Sequence, residues 1–361
     1  LKMNRNKILS LVLAVAMVMA LLTMPASAAA FSGGSGTSED PYLISSLEDL
    51  QLLQANSSFW ATGIYFRQTT NINIGSVSDW TPIGNWSTVF EGNYNGDGNY
   101  ISGLKISGDN FYCGLFGTIY GTISNLGVTD VSVRGNSYVG SLAGYAFPSN
   151  ISYCYSSGEV TATSSFGGGL IGFCYDSNIE YSFSRCDVKG NSHIGGLIGR
   201  ITEGNTETIV EACYATGNLN VEGIFGGGLA GSMDGTSSLK DSFFAGNISG
   251  VNPSYNGGIV SNAYGIVDHC QTTYGNIAAS VSGPAPSDCG ASRDFPFFKI
   301  QENFENVSYY LQNGQWSFED IWAIDTTGVA NDGFPYLMAV QVDTSPINLL
   351  NYAYGARVTY V

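Results

Sequence analysis

The sequence has few charged residues and very few histidines. Charged residues make up 12% of the 361 positions; the 29 aspartates and glutamates outnumber the 13 lysines and arginines, which gives a formal net charge of −16. A chain with this much negative charge is not expected to bind nucleic acid or anionic membranes, because both attract basic side chains. The two histidines, His193 and His269, form no H-E-x-x-H pattern. Because a catalytic triad needs a histidine as its base, two histidines make such a triad improbable. We expect both to be surface or turn residues.

Long apolar runs are absent after the first 28 residues. The chain begins with the basic "LKMNRNK", continues with the apolar "ILSLVLAVAMVMALL" and then reaches the small residues Ala26-Ser27-Ala28. This order is typical of a secretory signal peptide, which we expect to be residues 1–28. No later segment has the length of a membrane span. We therefore expect a secreted or cell-surface protein with no other transmembrane anchor.

Cysteine spacings typical of metal or redox sites are also absent. There are seven cysteines and no C-x-x-C, and an odd number leaves at least one unpaired. Cys154, Cys213 and Cys270 recur at every second copy of the repeat described next, about 9.6 Å apart if copies stack at about 4.8 Å. That separation exceeds the reach of a disulfide, so we expect small packed residues.

Glycine, in contrast, is abundant, with 47 copies, and it is periodic. "FGGGLIGFCY", which starts at Phe166, aligns with "CGLFGTI", "VGSLAGYA", "IGGLIGRI", "FGGGLAGSM" and "NGGIVSNA". One apolar residue marks the same place in each copy: Leu115, Leu142, Leu170, Leu197, Leu229 and Ile259. A fixed period of this size is the signature of a repeat architecture.

Two further apolar columns follow within each repeat. The second consists of Ile123, Ile151, Ile179, Val210, Leu239 and Val267. The third consists of Val131, Val160, Val188, Leu219, Ile248 and Ile277. Three apolar marks in β-prone runs predict three short strands in each repeat of about 28 residues.

A single turn of this kind cannot bury its own apolar face, so the copies must stack. The sequence predicts an all-β fold, a parallel β-helix (β-solenoid) of about eight rungs that is right-handed. Glycine recurs at the corners because a Cβ would clash at every level and because a corner often needs positive φ. We expect Gly167 to Gly169 and Gly172 to be architectural.

The predicted domain order has four parts. The signal peptide (1–28) is followed by an N-terminal cap with irregular first rungs (29–112), the regular repeats (113–284), and an aromatic C-terminal cap with a tail (285–361). The N-terminal cap includes a short helix that Ser45 or Ser46 caps, with a leucine stripe at Leu47, Leu50 and Leu53. Such a helix would cover the open end of the coil.

The repeats resemble the GLUG-motif family. Its hallmark is a G-G-L-[IVA]-G stretch followed by C-Y-A-T-G-x-V, and "CYATGNL" at Cys213 is close to the latter. The resemblance is strong over residues 113–280 and looser on the flanks. It implies an extracellular or surface protein with a role in adhesion, and it carries over no catalytic residues.

Three carboxylates form a candidate binding column. Asp130, Glu159 and Asp187 precede the third apolar mark in successive repeats, where Asn218, Asn247 and Asn276 follow. Carboxylates at about 4.8 Å intervals repel one another unless they are solvated, protonated or bridged by a cation such as Ca²⁺. The alternative is a turn position where Asp and Asn are interchangeable.

Aromatic residues offer two further candidates. Tyr155, Phe183, Tyr214 and Phe243 form a column that period-two alternation places in the core, although an outward stripe for sugar rings is the alternative. A polar groove near Trp80, Trp86 and Tyr94, in the irregular first rungs, is the other candidate.

These features favour a non-enzymatic exported protein that binds glycans or host or cell-surface proteins. A polysaccharide lyase or glycoside hydrolase on a β-helix and a passive structural spacer are the alternatives. We expect no catalytic residues and, apart from the Ca²⁺ alternative, no cofactor or metal.

Overall fold

The computed structural model describes residues 30–291 and two short strands beyond them, Trp322–Ile324 and Pro335–Leu337, which pair antiparallel. The predicted signal peptide and nearly all of the predicted C-terminal cap and tail lie outside the described residues. Residues 30–291 form a coil in which strands from successive turns pair in parallel into three sheets. The predicted β-solenoid is confirmed, and its right-handed sense stays a prediction.

The first sheet has nine strands and the second has seven, which bracket the predicted number of about eight turns. The first consists of Tyr42–Ile44, Tyr65–Gln68, Asn93–Asn95, Thr122–Ser124, Asn150–Ser152, Asn178–Glu180, Ile209–Glu211, Ser238–Lys240 and Ile266–Asp268. The second consists of Phe116–Ile119, Ala143–Ala146, Ile171–Tyr175, Ile198–Thr202, Ala230–Met233, Val260–Ala263 and Ala278–Val281.

The third sheet has twelve strands, some of them far longer than the others. Its strands are Ile72–Asn73, Tyr100–Ser102, Lys105–Ile106, Gly127–Val139, Tyr155–Gly168, Phe183–Gly195, Tyr214–Ala215, Leu219–Gly227, Phe243–Phe244, Ile248–Gly250, Asn256–Gly257 and Gln271–Thr272. We predicted short strands only, and this expectation is wrong for the 14-residue Tyr155–Gly168. Its register shifts between Ala162 and Ser165, so one continuous strand bends around a corner.

The core lies inside the coil, and the first two apolar columns form it as predicted. The Leu170 column is buried throughout, and in the first sheet Ile151 pairs with Ile123 on one side and Ile179 on the other. Because side chains alternate along a strand, each of these inward residues of the first sheet is flanked by outward ones. The first sheet therefore buries one stripe of side chains and exposes another.

The third column needs two corrections. A register shift after Ser156 pairs Val160 with Val133 instead of Val131. At the C-terminal end, the Ile277 carbonyl accepts hydrogen bonds from the backbone N–H groups of Ile259 and Val260, and Ile277 so lies in the first column, not the third. The last turn is shorter than the repeat period implied.

The glycine-rich corner is tight, but the predicted reason is only half right. A Cβ on Gly169 would clash with the carbonyl oxygen of Gly196 in the next turn, and one on Gly172 would clash with the backbone of Val139 in the previous turn. Neither glycine has positive φ; the left-handed residue of this corner is Phe166, with φ 62°. Glycine is required here for clearance between turns.

The N-terminal end is covered by helix α1, Leu47–Ala55, as predicted. The Ser46 side chain accepts a hydrogen bond from the Asp49 backbone N–H and caps the helix. Leu50 and Leu53 are fully buried against the first turn. Two single-turn 3-10 helices, Ser57–Phe59 and Pro253–Tyr255, complete the described helical elements, and none of them is long and apolar enough to cross a membrane.

All seven cysteines lie in the described part of the chain and are free thiols. Cys154, Cys213 and Cys270 are fully buried, as expected of packed residues. Burial raises the pKa of the Cys154 thiol to about 12, so it stays protonated and unreactive.

Candidate functional site

A groove of about 530 Å³ lies over the first sheet at the N-terminal end of the coil. Its floor is built from the outward side chains of three neighbouring strands, and residues 38–41 form a wall. The floor residues are Tyr65, Arg67, Asn93, Asn95, Thr122 and Ser124. A concave site with an aromatic ring and several convergent polar groups is typical of small-molecule and sugar binding.

The strand register puts the floor side chains into two columns. Tyr65 pairs with Asn93, which pairs with Thr122. Alternation then turns the intervening Tyr94 inward, where it is 1% exposed. The floor therefore presents a new polar or aromatic group at each turn, about every 4.8 Å.

The second floor column runs through Arg67, Asn95 and Ser124, and its central amide is fixed. The Asn95 carboxamide oxygen accepts hydrogen bonds from the Asn125 side chain at 3.0 Å and from the Asp97 backbone at 2.8 Å. A side chain held from two directions is pre-organised for a ligand and loses little freedom on binding.

The wall of the groove contains two carboxylates, and Glu39 does not have the property of a catalytic acid. Glu39 and Asp40 are both exposed. The Ser38 hydroxyl, with the Glu39 backbone, holds the pKa of Glu39 below its usual value. A glycoside hydrolase needs one carboxylic acid whose pKa is raised, so that it can give its proton to the leaving group.

Two of the three predicted groove aromatics are core residues, which is a correction. Trp80 is 3% exposed, and its indole N–H donates to the Leu115 carbonyl at 3.1 Å. The Tyr94 hydroxyl donates to the Gln68 side chain at 2.9 Å, and burial raises the pKa of Tyr94 far above its usual value. Both belong to irregular turns in which apolar spacing alone does not show which side faces inward.

Trp86, the third predicted aromatic, is 62% exposed and lies on a different face. It stacks on Tyr112 with ring centroids 5.7 Å apart and meets Tyr145 edge-on at 5.9 Å. Trp86 thus begins an aromatic surface over the second sheet and does not line the groove.

That surface is an outer aromatic ladder, which our sequence reasoning missed. In five of the six repeats, the residue just before the glycine-rich stretch has φ between 54° and 65° and points outward. These residues are Tyr112, Tyr138, Phe166, His193 and Phe225, with ring centroids 4.8 to 5.1 Å apart along the coil. The signal was present in the sequence, since each is an aromatic or His immediately before the motif.

A second outer column packs against this ladder. Tyr145 and Phe173 stack on each other at 5.2 Å, and Phe173 meets Phe166 edge-on at 88°. The rings therefore cover most of each other's faces and leave mainly edges to solvent. We interpret the ladder first as a stabilising device of the coil.

The predicted carboxylate column is broken at its first member. Asp130 has φ 51°, and the register shift places Ser132, not Asp130, opposite Glu159. Glu159 does pair with Asp187, and all three carboxylates are exposed. The sequence put Asp130 level with Glu159 because it could not show the register shift.

Two asparagines continue the column beyond Asp187, each just before a strand. The Asn218 backbone N–H donates to Asp187 Oδ1 at 2.7 Å, and the Asn247 side chain donates to the Asn218 side-chain oxygen at 3.2 Å. Asn276 lies elsewhere, because its carbonyl accepts from Gly258 at the glycine corner. A ladder of this kind supports interchangeable Asp and Asn held by hydrogen bonds.

The inward aromatic column is a core feature, in agreement with the favoured interpretation. Tyr155, Phe183, Tyr214 and Phe243 are 0% to 4% exposed. Their rings stack nearly parallel, with centroids 5.2, 4.5 and 4.9 Å apart. They offer no surface to a sugar.

The two histidines both occupy left-handed corners, with φ 54° at His193 and 50° at His269. Burial, with the nearby Arg200 cation, lowers the pKa of His193 to about 4. His269 is buried at 7% exposure and lies among Asp241, Asp268 and Asp288. The sequence predicted the turns but not the burial of His269.

Comparison with known proteins locates a family motif within the repeats. Residues 135–161 match the family model for the GLUG motif. A protein of Evansella cellulosilytica named as a Gly-rich membrane protein is 35% identical over 140 residues, which is 35% of this chain and 16% of that protein. Halomucin of Haloquadratum walsbyi is 35% identical over 124 residues, 31% of this chain and 1% of halomucin. The chain thus spans a small part of these relatives.

A solved structure shares the fold. A Bacteroides ovatus protein whose crystal structure is named for an immunoglobulin A1 protease superimposes with a TM-score of 0.66, over 85% of this chain and 95% of that one. At 21% identity, the likeness concerns the fold alone. The motif match confirms the predicted resemblance to the GLUG-motif family at residues 135–161, and the solved structure shares the β-solenoid fold.

Proposed function

We propose that this chain is an exported surface protein that binds a neutral polysaccharide in the groove at its N-terminal end and does not cleave it. The observation that carries the proposal is the groove floor, where Tyr65 lies beside Asn93 and Arg67 beside Asn95. Aromatic faces pack on the C–H faces of sugar rings, while amides, hydroxyls and guanidinium groups bind their hydroxyls.

A polymer is favoured over a single sugar because the floor is repetitive. The column of Tyr65, Asn93 and Thr122 continues beyond the groove through Asn150 and Asn178. Groups spaced by about 4.8 Å along one line can contact successive units of a linear chain. The acidic character of the protein, at −16, disfavours an anionic polymer.

Export and surface location are part of the proposal. The N-terminal segment has the pattern of a signal peptide. A relative that matches 35% of the chain is named as a membrane protein, and another is named halomucin. These names support an extracellular protein, and adhesion is the role that a non-catalytic glycan-binding coil would perform there.

The test measures binding and turnover separately on the secreted chain. A glycan array and calorimetry with the best neutral oligosaccharide should show binding, and assays for reducing ends and for unsaturated sugars should show no product. Tyr65→Ala should weaken binding about 10-fold or more, the loss of about one aromatic contact. Asn95→Ala should weaken it by a similar factor, because it removes a fixed amide.

The matched control is Asn178→Ala, which lies in the same outward column as Asn93 but outside the groove. It should leave the affinity of a short oligosaccharide unchanged. Cleavage of a polysaccharide that is lost in Asp187→Ala would instead establish the enzymatic alternative. Absence of any glycan ligand would favour the spacer.

A further inference from the structure

We propose that His269 Nε2 and Asp288 bind one divalent transition-metal ion at the C-terminal end of the solenoid, while Asp268 and Asp241 hold the other nitrogen of the ring. The site is separate from the groove and does not depend on the proposed glycan function. The metal-binding atoms of Asp268, His269 and Asp288 lie within 4.8 Å of one another.

The stacking of turns brings these residues together. Asp241, His269 and Asp288 occupy the same left-handed corner in three successive turns, with φ of 47°, 50° and 51°. The Asp241 N–H donates to the Asp268 carbonyl at 3.2 Å, and the His269 N–H to the Ser287 carbonyl at 3.0 Å. The imidazole is therefore held between a carboxylate of the turn before and one of the turn after.

The separations suit a small cation. Asp288 Oδ2 lies 3.7 Å from His269 Nε2. Two ligands of one tetrahedral zinc ion, each bound at about 2.0–2.1 Å, are about 3.4 Å apart. If the partly exposed Asp288 side chain moved by a few tenths of an ångström, its Oδ2 and His269 Nε2 would both reach one ion.

The other ring nitrogen provides an independent observation. Nδ1 faces Asp268 Oδ2 at 3.1 Å and Asp241 Oδ1 at 3.7 Å. Asp241 Oδ1 is sealed from solvent with no hydrogen-bond partner, although it is aimed at this ring. Histidines that bind metal ions characteristically keep the second nitrogen on a carboxylate, which fixes the ring. The His269 side chain, 9% exposed, is already held in that way.

The negative charge of the cluster also favours a bound cation. Three carboxylates surround the His269 imidazole. Among the described residues, Lys240 places a cationic side chain beside them, next to Asp241 in sequence. Imidazole nitrogen together with carboxylate oxygen is a donor combination typical of Zn²⁺ or Mn²⁺, whereas Ca²⁺ takes six to eight oxygens.

Binding would fasten the last described turn to the body of the coil. Asp288 belongs to a segment in which Ser287 bridges to Asp268 and Gly290 to Gln271. The end of a solenoid is an exposed strand edge that natural proteins cover or fasten. A metal ion here would do so across two turns.

The experiment titrates the full secreted chain with Zn²⁺ by calorimetry and follows thermal unfolding with and without the ion. Wild type should bind one ion through this site and melt at a higher temperature in its presence. His269→Asn, which keeps a residue tolerant of positive φ, should weaken binding about 100-fold, and Asp288→Asn about 10-fold or more. Asp241→Asn should weaken it about 10-fold by loosening the ring.

Two control variants exclude other zinc-binding groups. His193→Asn removes the other histidine, and Cys289→Ser removes the half-exposed thiol beside Asp288. Both should keep the wild-type affinity and the thermal shift. The proposal is overturned if wild type binds no zinc, if His269→Asn and Asp288→Asn bind it as tightly as wild type, or if Cys289→Ser alone abolishes binding.

Discussion

The molecule contains two aromatic columns that look alike in sequence and differ in environment. The inner column, Tyr155 to Phe243, and the outer ladder, Tyr112 to Phe225, both recur once per turn with ring centroids about 5 Å apart. The inner rings are 0% to 4% exposed, whereas most of the outer rings are half-buried. A period of one turn therefore determines that rings stack but not on which side of the wall they lie.

Backbone conformation makes the difference. The inner rings lie at or near the start of strands in the third sheet, with their side chains inside the coil. The residues of the outer ladder have positive φ at the corner, and this backbone conformation turns their side chains away from the interior. A bulky residue at such a position carries strain of about 1–2 kcal/mol, and stacking on its neighbours offsets part of that cost.

The largest effect should come from the corner that separates the two columns. Gly172→Val places side-chain atoms against the backbone of Val139 and Gly144, which cannot move without separating two turns. We expect a loss of more than about 5 kcal/mol, so that the chain no longer folds. Circular dichroism and urea unfolding would show this. In Gly275→Val, where a Cβ meets nothing within 4 Å, both should stay close to wild type.

The next effect compares one ring from each column. Phe183→Ala removes a fully packed core ring and should lower the free energy of unfolding by about 3–5 kcal/mol. Phe166→Ala removes a half-exposed ring and should cost only about 1 kcal/mol, since an aromatic pair adds about that much. Chemical denaturation measures both. Equal losses would show that the outer ladder contributes as much as the core.

An effect smaller than the loss of a core ring is a pH dependence confined to the outer ladder. His193 has a folded-state pKa of about 4, below the value of about 6.5 in an unfolded chain. The unfolded chain therefore takes up this proton first, and stability is lost as pH falls from about 6.5 to about 4. Because the ring is half-exposed, we expect about 1–2 kcal/mol.

The matched variant for this effect is His193→Phe, which restores the ring found at Phe166 and Phe225. Its unfolding free energy should fall less than that of wild type between pH 7 and pH 4.5, as measured by urea unfolding at each pH. If both chains lose the same stability, His193 is not the titrating group.

Much of the fold was predictable from the sequence because a solenoid is nearly one-dimensional. The Leu170 and Ile151 columns, the Ser46 cap and the buried Cys154 each follow from local spacing and were confirmed. Predictions failed where a register shift breaks the period, as at Asp130, or where the last turn shortens, as at Ile277. One inserted residue in a bulge moves every later side chain, and spacing alone does not reveal it.

The candidate sites were less predictable. The groove is lined by residues 38–41 and by three strands from different turns. No local sequence pattern therefore predicts it. Trp80 and Tyr94 lie in irregular turns, and only packing could decide that they face the core. The His269 cluster joins residues of three turns, and Asp288 follows the end of the regular repeat.

The sequence by itself determined that the chain coils, because a repeated apolar period can be buried only by stacking one turn on the next. It also determined which strand positions form the core, since alternation is local. Only the tertiary structure decided which residues meet across turns: Tyr65 with Asn93, and His269 with Asp288. Such contacts depend on the register between turns, which local bulges and corner conformations set one turn at a time.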